Sequence, residues 1–188
     1  MSNVGNEHNI VGVDYSLTSP GICTADNFFA ISSSRKLVGS YKNYVHIDEY
    51  PKYNTEEERH INLALWSLRC IQSAGRNVFV ILEDYSFGSK GKVFNLAENT
   101  GELKKTLYRE GIPFITVAPT QLKKFATGKG NSNKEIMYDA WLAAGNEDFR
   151  TVFDQKKKNK EQLYAPITDL VDAYWLRQYG LSIRHSGT

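Results

Sequence analysis

The chain has 188 residues, of which 41% are hydrophobic, 12% aromatic and 23% charged, and its formal net charge is +2. This length predicts one domain, 1–188, with a substantial core. No run of about 18 apolar residues exists, so a membrane-spanning helix is not expected. Cys23 and Cys70 are too few for a disulfide framework or a cysteine-based metal site, and the first residues lack a secretory pattern. We therefore expect a cytoplasmic protein.

The first part of the chain predicts strands followed by one helix. The apolar range 10–13 is a short strand that ends in Asp14 and continues into turn-forming Ser, Thr, Pro and Gly. The ranges 27–33 and 41–47 are rich in aromatic and β-branched residues, which predicts antiparallel strands continuing from the first. The sequence Thr55-Glu-Glu-Glu58 matches a capping box and begins a helix with apolar residues at helical spacing.

The second part alternates strands with helices. The apolar run 78–82 predicts a strand buried on both faces, and a helix follows from about Val93 to Arg109. The range 114–117 predicts another buried strand. Strands that first cluster and then alternate with helices indicate an α/β fold with a mixed sheet.

The last third of the chain predicts three helices separated by polar segments. A short helix is expected at 120–125, and a mobile loop at 127–131. Ser132-x-x-Glu135 matches a second capping box and begins the next helix. The polar range 146–162 predicts a partly ordered insertion, and the last helix runs from about Ile167 to Tyr179.

Four acids occupy positions from which they could meet. Asp14 and Glu83 each follow an apolar strand, and Asp169 and Asp172 are three residues apart, so they share one helix face. Carboxylates are preferred ligands of Mg²⁺, and two such ions suit phosphodiester cleavage. Mn²⁺ is expected to substitute for Mg²⁺. Alternatively, each acid is an exposed cap or turn residue, and Asp84 could replace or assist Glu83.

Lysines are concentrated in one part of the chain. The range 111–134 contains no acid, and Lys123, Lys124, Lys129 and Lys134 all lie there. A basic stripe within a nearly neutral chain is compatible with a nucleic-acid ligand. A plain solvated face is the alternative.

The ordered motifs resemble a known family. Gly12-Val-Asp14, Leu82-Glu83 and Asp169-x-x-Asp172-Ala173 are similar to those of the RuvC family of Holliday junction resolvases, in the RNase H-like or retroviral-integrase superfamily. The resemblance spans roughly 10–179. It implies an RNase H-like α/β fold with a mixed five-stranded sheet flanked by helices. It also implies a Mg²⁺-dependent crossover junction endodeoxyribonuclease that leaves 5′-phosphate and 3′-hydroxyl ends, with the four acids as metal ligands.

The same resemblance implies how DNA is bound. Lys123 and Lys134 match the family's DNA-contacting lysines, and Tyr85 or Phe87 matches an aromatic residue that stacks on a base at the junction. The predicted DNA-binding set consists of Lys123, Lys134, Tyr85, Phe87, Lys90 and Lys129. The expected ligand is branched DNA, in particular the four-way junction.

Symmetric cutting needs two active sites, which predicts a C2 homodimer. The resemblance implies that the helix at 93–109 is its interface. The sequence Asp14-Tyr-Ser-Leu-Thr-Ser-Pro-Gly differs from the Asp-Pro-Gly of bacterial members and is more similar to phage relatives, which favours a phage origin. The insertion at 146–162 has no clear counterpart in the bacterial pattern. Both departures leave the range of branched substrates open.

Two other functions are compatible with parts of the sequence. Asp14-x-Ser-x-Thr-Ser loosely resembles the phosphate loop of actin-like ATPases, but 188 residues leave no room for their second domain. A DNA-binding module without catalytic activity on the same fold is the other alternative. It predicts junction binding that survives the loss of Asp14, and no cutting with any divalent metal.

Overall fold

The computed structural model describes residues 9–84, 93–153 and 163–185, which form a mixed sheet with helices on both faces. The strands are β1 (Asn9–Asp14), β2 (Gly21–Cys23), β3 (Phe28–Ser32), β4 (Gly39–Tyr41), β5 (Val45–Glu49), β6 (Val78–Glu83) and β7 (Phe114–Val117). The helices are α1 (Glu56–Gln72), α2 (Val93–Arg109), α3 (Pro119–Thr127), α4 (Lys134–Ala143), α5 (Phe149–Val152) and α6 (Ile167–His185).

The sheet has the order β4-β5-β3-β2-β1-β6-β7. Strands β1, β6 and β7 are parallel, whereas β2 is antiparallel to both β1 and β3. Side chains of β1 alternate between the two faces, as the period of a strand requires. Val11 and Val13 join the core beneath α1 and α2, and Ile10 joins the core beneath α3, α4 and α6. The α/β prediction is confirmed.

The predicted number of five strands is wrong, because the described residues form seven. The two missed strands, β2 and β4, have three residues each and are too short to show a hydrophobic period. The predicted strand 41–47 is partly the turn between β4 and β5, where Lys42 and Asn43 have positive φ. Because β4 reverses the chain, β5 pairs parallel to β3 rather than antiparallel as predicted. Strand β7 is partly exposed at the sheet edge, not buried.

The long helices lie close to their predicted positions. The hydroxyl of Thr55 caps α1 by accepting from the backbone N–H of Glu58, and the predicted bounds of α2 are confirmed. The second predicted cap is wrong, because Asn133 rather than Ser132 accepts from the N–H of Ile136. None of the helices in the described ranges is long and apolar enough to cross a membrane.

Two segments predicted to lack regular order are held by specific contacts. In the loop 127–131, the Thr127 hydroxyl accepts from the N–H of Lys129 and hydrogen-bonds the Ser132 hydroxyl. The loop that was expected to be mobile is therefore a turn held by hydrogen bonds. The start of the insertion forms α5, whose Phe149 is buried against Trp141. The remainder, 154–162, lies outside the described residues. Helix α6 continues six residues beyond the predicted end at Tyr179, to His185.

Helix α6 packs against the centre of the sheet with almost no space between the two backbones. A Cβ at Gly12 would lie 2.0 Å from the carbonyl oxygen of Ala173, and a Cβ at Gly21 would lie 2.4 Å from that of Asp169. These distances are far below van der Waals contact. Only glycine at these two positions allows the first turns of α6 to lie on β1 and β2.

We expect Gly12→Ala to lower the free energy of unfolding by about 3 kcal/mol or more, because the methyl group meets a backbone carbonyl that cannot move aside. Asp139→Ala is the control. Asp139 is exposed on α4, so alanine there should change the free energy of unfolding by less than about 0.5 kcal/mol. Urea unfolding of both variants measures the difference. Equal effects of the two substitutions would contradict the close packing of α6.

Candidate active site

The parallel pairing of β1 and β6 places two acids side by side. Val13 lies opposite Leu82, and the residues that follow them are Asp14 and Glu83. Both acids therefore lie at the same edge of the sheet, at the carboxyl ends of adjacent strands. Ligand sites of open α/β sheets commonly lie at this edge.

Helix α6 contributes the other two acids. Because its first turn rests on Gly21, Asp169 and Asp172 reach the cleft that also contains Asp14 and Glu83. The cleft has a volume of about 340 Å³. Its other walls are formed by Tyr15, Ser16, Asp84, Leu96, Thr100, Pro119, Lys123, Asn133, Lys134 and Met137.

Burial is the main cause that raises the pKa of all four acids. Burial, and then the negative charge of Glu83, raise the pKa of Asp14 well above its ordinary value. Burial also raises the pKa of Glu83, and a side-chain hydrogen bond with Asp14 partly opposes this rise. Burial and repulsion by Glu83 and Asp169 raise the pKa of Asp172 to about 8. Burial also raises the pKa of Asp169. None of these four carboxylates forms a salt bridge within the described parts of the chain.

Two of the predicted DNA-binding lysines lie in this cleft. Lys134 donates to the hydroxyl of Thr168 at 3.2 Å, and its charge lowers the pKa of Glu83, Asp169 and Asp172. Lys123 also lines the cleft and acts on the pKa of Glu83 in the same direction. The two lysines therefore offset part of the repulsion among the acids.

The other predicted DNA contacts are placed differently. Lys129 is exposed on the turn after α3 and does not line the cleft. Tyr85, Phe87 and Lys90 lie outside the described residues. Asp84, the alternative to Glu83, also lines the cleft, and its carboxylate lies 3.9 Å from the ammonium of Lys104 on α2. Glu83 has no such salt bridge in the described ranges.

The turn after β1 is fixed by contacts that the sequence did not indicate. Arg59 donates to the carbonyl of Leu17 at 2.8 Å, and the hydroxyl of Tyr50 donates to the same oxygen. The N–H of Ser19 donates to the hydroxyl of Ser16 at 2.9 Å. These bonds hold the wall of the cleft next to Asp14. The bonds from Arg59 and Tyr50 join distant segments, so no local motif could have predicted them.

The donor set of the cleft fits a hard divalent cation in its chemistry. All four acids offer carboxylate oxygens, which Mg²⁺ and Mn²⁺ prefer. The Oδ2 atom of Asp169 is buried and accepts no hydrogen bond, which is a costly state for a carboxylate. In the described ranges no three acidic, His or Cys side chains already stand at metal-ligand spacing. Binding an ion would therefore require side-chain rotation, including separation of the hydrogen-bonded Asp14 and Glu83.

The raised pKa of Asp172 makes stability depend on pH. The folded state holds the proton of Asp172 up to about pH 8, whereas the unfolded chain releases it near 3.8, so this group lowers stability as pH rises between these values. We expect Asp172→Asn, measured by urea unfolding in EDTA, to raise the free energy of unfolding at pH 8 by about 1–2 kcal/mol. The gain should shrink towards pH 4.

The exposed Asp139 on α4 provides the control for this prediction. Asp139→Asn should leave the pH profile of unfolding unchanged. Identical profiles for the wild type and Asp172→Asn would contradict the crowding of the four acids.

Comparison with known proteins identifies the fold. No family model matches the sequence, and no curated protein matches it. The Thermus thermophilus RuvC structure matches with a TM-score of 0.57 and 14% identity, over 93% of this chain and 95% of that chain. T. thermophilus RuvC in complex with Holliday junction substrate matches with a TM-score of 0.57 and 13% identity, over 94% of this chain and 96% of that chain. The yeast mitochondrial Holliday junction resolvase Ydc2 matches with a TM-score of 0.55 and 12% identity, over 95% of this chain and 81% of that chain. This chain therefore shares the fold of the T. thermophilus RuvC and yeast Ydc2 structures.

Proposed function

We propose that the protein is a Mg²⁺-dependent endonuclease that cuts four-way DNA junctions and other branched DNA. The observation that carries the proposal is the convergence of Asp14, Glu83, Asp169 and Asp172 in one cleft between Lys123 and Lys134. The resolvase names of the structural neighbours support the same function. Mn²⁺ is proposed as an effective substitute.

In this proposal the four carboxylates hold the metal. A bound Mg²⁺ would supply an activated water and stabilise the charge that develops on the phosphate and the leaving oxygen. The four carboxylates cannot attract DNA by themselves, because carboxylates and DNA phosphates both carry negative charge. Lys123 and Lys134 provide the positive charge at the edge of the cleft that phosphates require.

The start of α4 gives Lys134 a suitable position for a phosphate. Asn133 caps this helix by accepting from Ile136, and both Asn133 and Lys134 face the cleft. The remaining N–H groups of the first turn and the helix dipole favour an anion at this place. A DNA strand that contacts α4 would therefore pass beside the four acids.

Cleavage of a labelled four-way junction, beside a linear duplex of the same sequence, tests this function. We expect paired nicks at the junction in Mg²⁺ or Mn²⁺ and none in EDTA. Asp14→Asn should slow cutting by about 100-fold or more, because metal stabilisation of transition-state charge contributes several kcal/mol. It should retain junction binding in a gel-shift assay.

Asp139→Asn, on the outer surface of α4, is the matched control and should cut like the wild type. Junction binding without cutting by the wild type in either metal would indicate a binding module instead. Equal cutting of junction and duplex would remove the preference for branched DNA.

We propose in addition that the protein forms a C2 homodimer through α2. One face of this helix is symmetric about Gly101: Phe94 and Tyr108 each lie seven residues away, and both side chains are 83% exposed. In an antiparallel crossing centred on Gly101, Phe94 of one copy faces Tyr108 of the other, and Glu98 faces Lys104. Glycine at the centre lets two helices approach closely, and both end contacts are aromatic.

Light scattering over a range of protein concentrations tests the dimer. We expect Tyr108→Glu to weaken association by about 2 kcal/mol or more, because it places a charge in each of two symmetric aromatic contacts. Ile61→Glu is the control, since Ile61 is a partly exposed residue of α1, outside this face. A wild type that remains monomeric with and without junction DNA would contradict the proposal.

A further inference from the structure

The two carboxylate oxygens of Asp169 have different surroundings. Oδ1 lies 3.4 Å from the hydroxyl oxygen of Thr168, which donates to it. Oδ2 is buried and makes no hydrogen bond in the described part of the chain. Asp169 lines the cleft, and its side chain is therefore held by one oxygen while the other has unused acceptor capacity.

The hydroxyl group of Thr168 both accepts and donates a hydrogen bond. Its side chain is buried, and its oxygen accepts from the ammonium of Lys134 at 3.2 Å. An ammonium has only donors, so the proton of Thr168 must point elsewhere, and Asp169 is the acceptor beside it. A hydroxyl that accepts from a cation is also a stronger donor.

Ser19 supplies a second hydroxyl to the same carboxylate. Its buried oxygen lies 3.2 Å from the carbonyl of Ile31 and also within hydrogen-bonding reach of Asp169. One hydroxyl proton cannot fully serve both acceptors, and an ionised carboxylate attracts it more strongly than a carbonyl.

Ser19 is itself held firmly in place. The turn that carries it is bonded to Arg59 and Tyr50 through the carbonyl of Leu17, and its N–H donates to Ser16. Its hydroxyl therefore reaches Asp169 from a turn fixed to α1 and to Tyr50, the residue after β5, whereas Thr168 reaches it from α6. Two separate parts of the fold meet at this carboxylate.

We propose that Ser19 and Thr168 are positioning residues that hold the carboxylate of Asp169, Thr168 through Oδ1, and thereby present Oδ2 to a divalent cation as a single-oxygen ligand. The inference rests on the proposed function, since it assumes that the cleft holds a metal. Hydrogen bonds to a ligating carboxylate fix its orientation and tune its affinity for metal. Neither hydroxyl contacts the DNA or the ion in this role.

Binding of Mn²⁺ to the full chain without DNA, followed by calorimetry, tests the proposal directly. Thr168→Val keeps the shape of the side chain and removes the hydroxyl. Ser19→Ala removes the hydroxyl on the turn after β1. Each should weaken Mn²⁺ binding by about 10-fold, the lower range for loss of a group that orients a ligand. Thr168→Ser restores the hydroxyl and should restore the affinity.

Ser67→Ala is the matched control, because Ser67 is fully buried in α1 and its hydroxyl has no hydrogen-bond partner in the described residues. It should bind Mn²⁺ like the wild type. Thermal unfolding in EDTA separates positioning from a general structural role: Thr168→Val should bind Mn²⁺ weakly even where its melting temperature equals that of Thr168→Ser.

Cleavage of the junction at increasing Mn²⁺ provides the second measurement. Thr168→Val and Ser19→Ala should need more metal for half-maximal rate, yet approach the wild-type rate at saturation. Wild-type affinity for Mn²⁺ in both variants would overturn the inference and leave the nuclease function intact. A wild type that binds Mn²⁺ without cutting would overturn the nuclease function. In that case the Mn²⁺ affinities of Thr168→Val and Ser19→Ala would still test the inference. Failure of the wild type to bind Mn²⁺ would overturn the inference.

Discussion

The close approach of α6 to the middle of the sheet is the constraint on which the cleft depends. Gly12 and Gly21 bring the backbone of α6 against β1 and β2, at distances that no side chain would allow. This contact fixes how far Asp169 and Asp172 reach over the ends of β1 and β6. A shift of the helix by the width of one methyl group would separate the four acids, so the two glycines determine the site without taking part in it.

The same contact brings four carboxyl groups close together in a partly buried cleft. Four carboxylates share a cleft from which water is partly excluded. Burial raises the pKa of each, and repulsion by neighbouring acids raises the pKa of Asp14, Glu83 and Asp172 further. Lys123 and Lys134 relieve the repulsion without forming salt bridges to the acids. A pair of close salt bridges would stabilise the protein more, but it would occupy the carboxylate oxygens. The observed arrangement leaves the oxygens accessible and keeps the lysines at the edge of the cleft.

Much of this arrangement could be predicted from the sequence, because it follows from local patterns. The runs that became β1 and β6 are apolar and end in an acid, and the parallel order of such strands places Asp14 beside Glu83. Strands β2 and β4 were missed because three residues carry too little pattern. The roles of Gly21, Ser19 and Thr168 were missed for a different reason. Each depends on a contact with a distant segment, and an ordinary glycine or hydroxyl gives no local sign of it.

The fold alone does not determine the chemistry, since one fold supports many functions. Identities of 12–14% to the resolvase structures leave that question to the residues of the cleft. Acids kept for structural reasons are normally paired with a cation or exposed to water. Here Asp14 is almost fully buried, Asp169 has a buried oxygen without a hydrogen bond, and no salt bridge relieves either in the described ranges. Such a cluster lowers the stability of the protein unless a cation from solution binds to it. The unrelieved charge within the cleft therefore supports the proposal that these acids bind a metal.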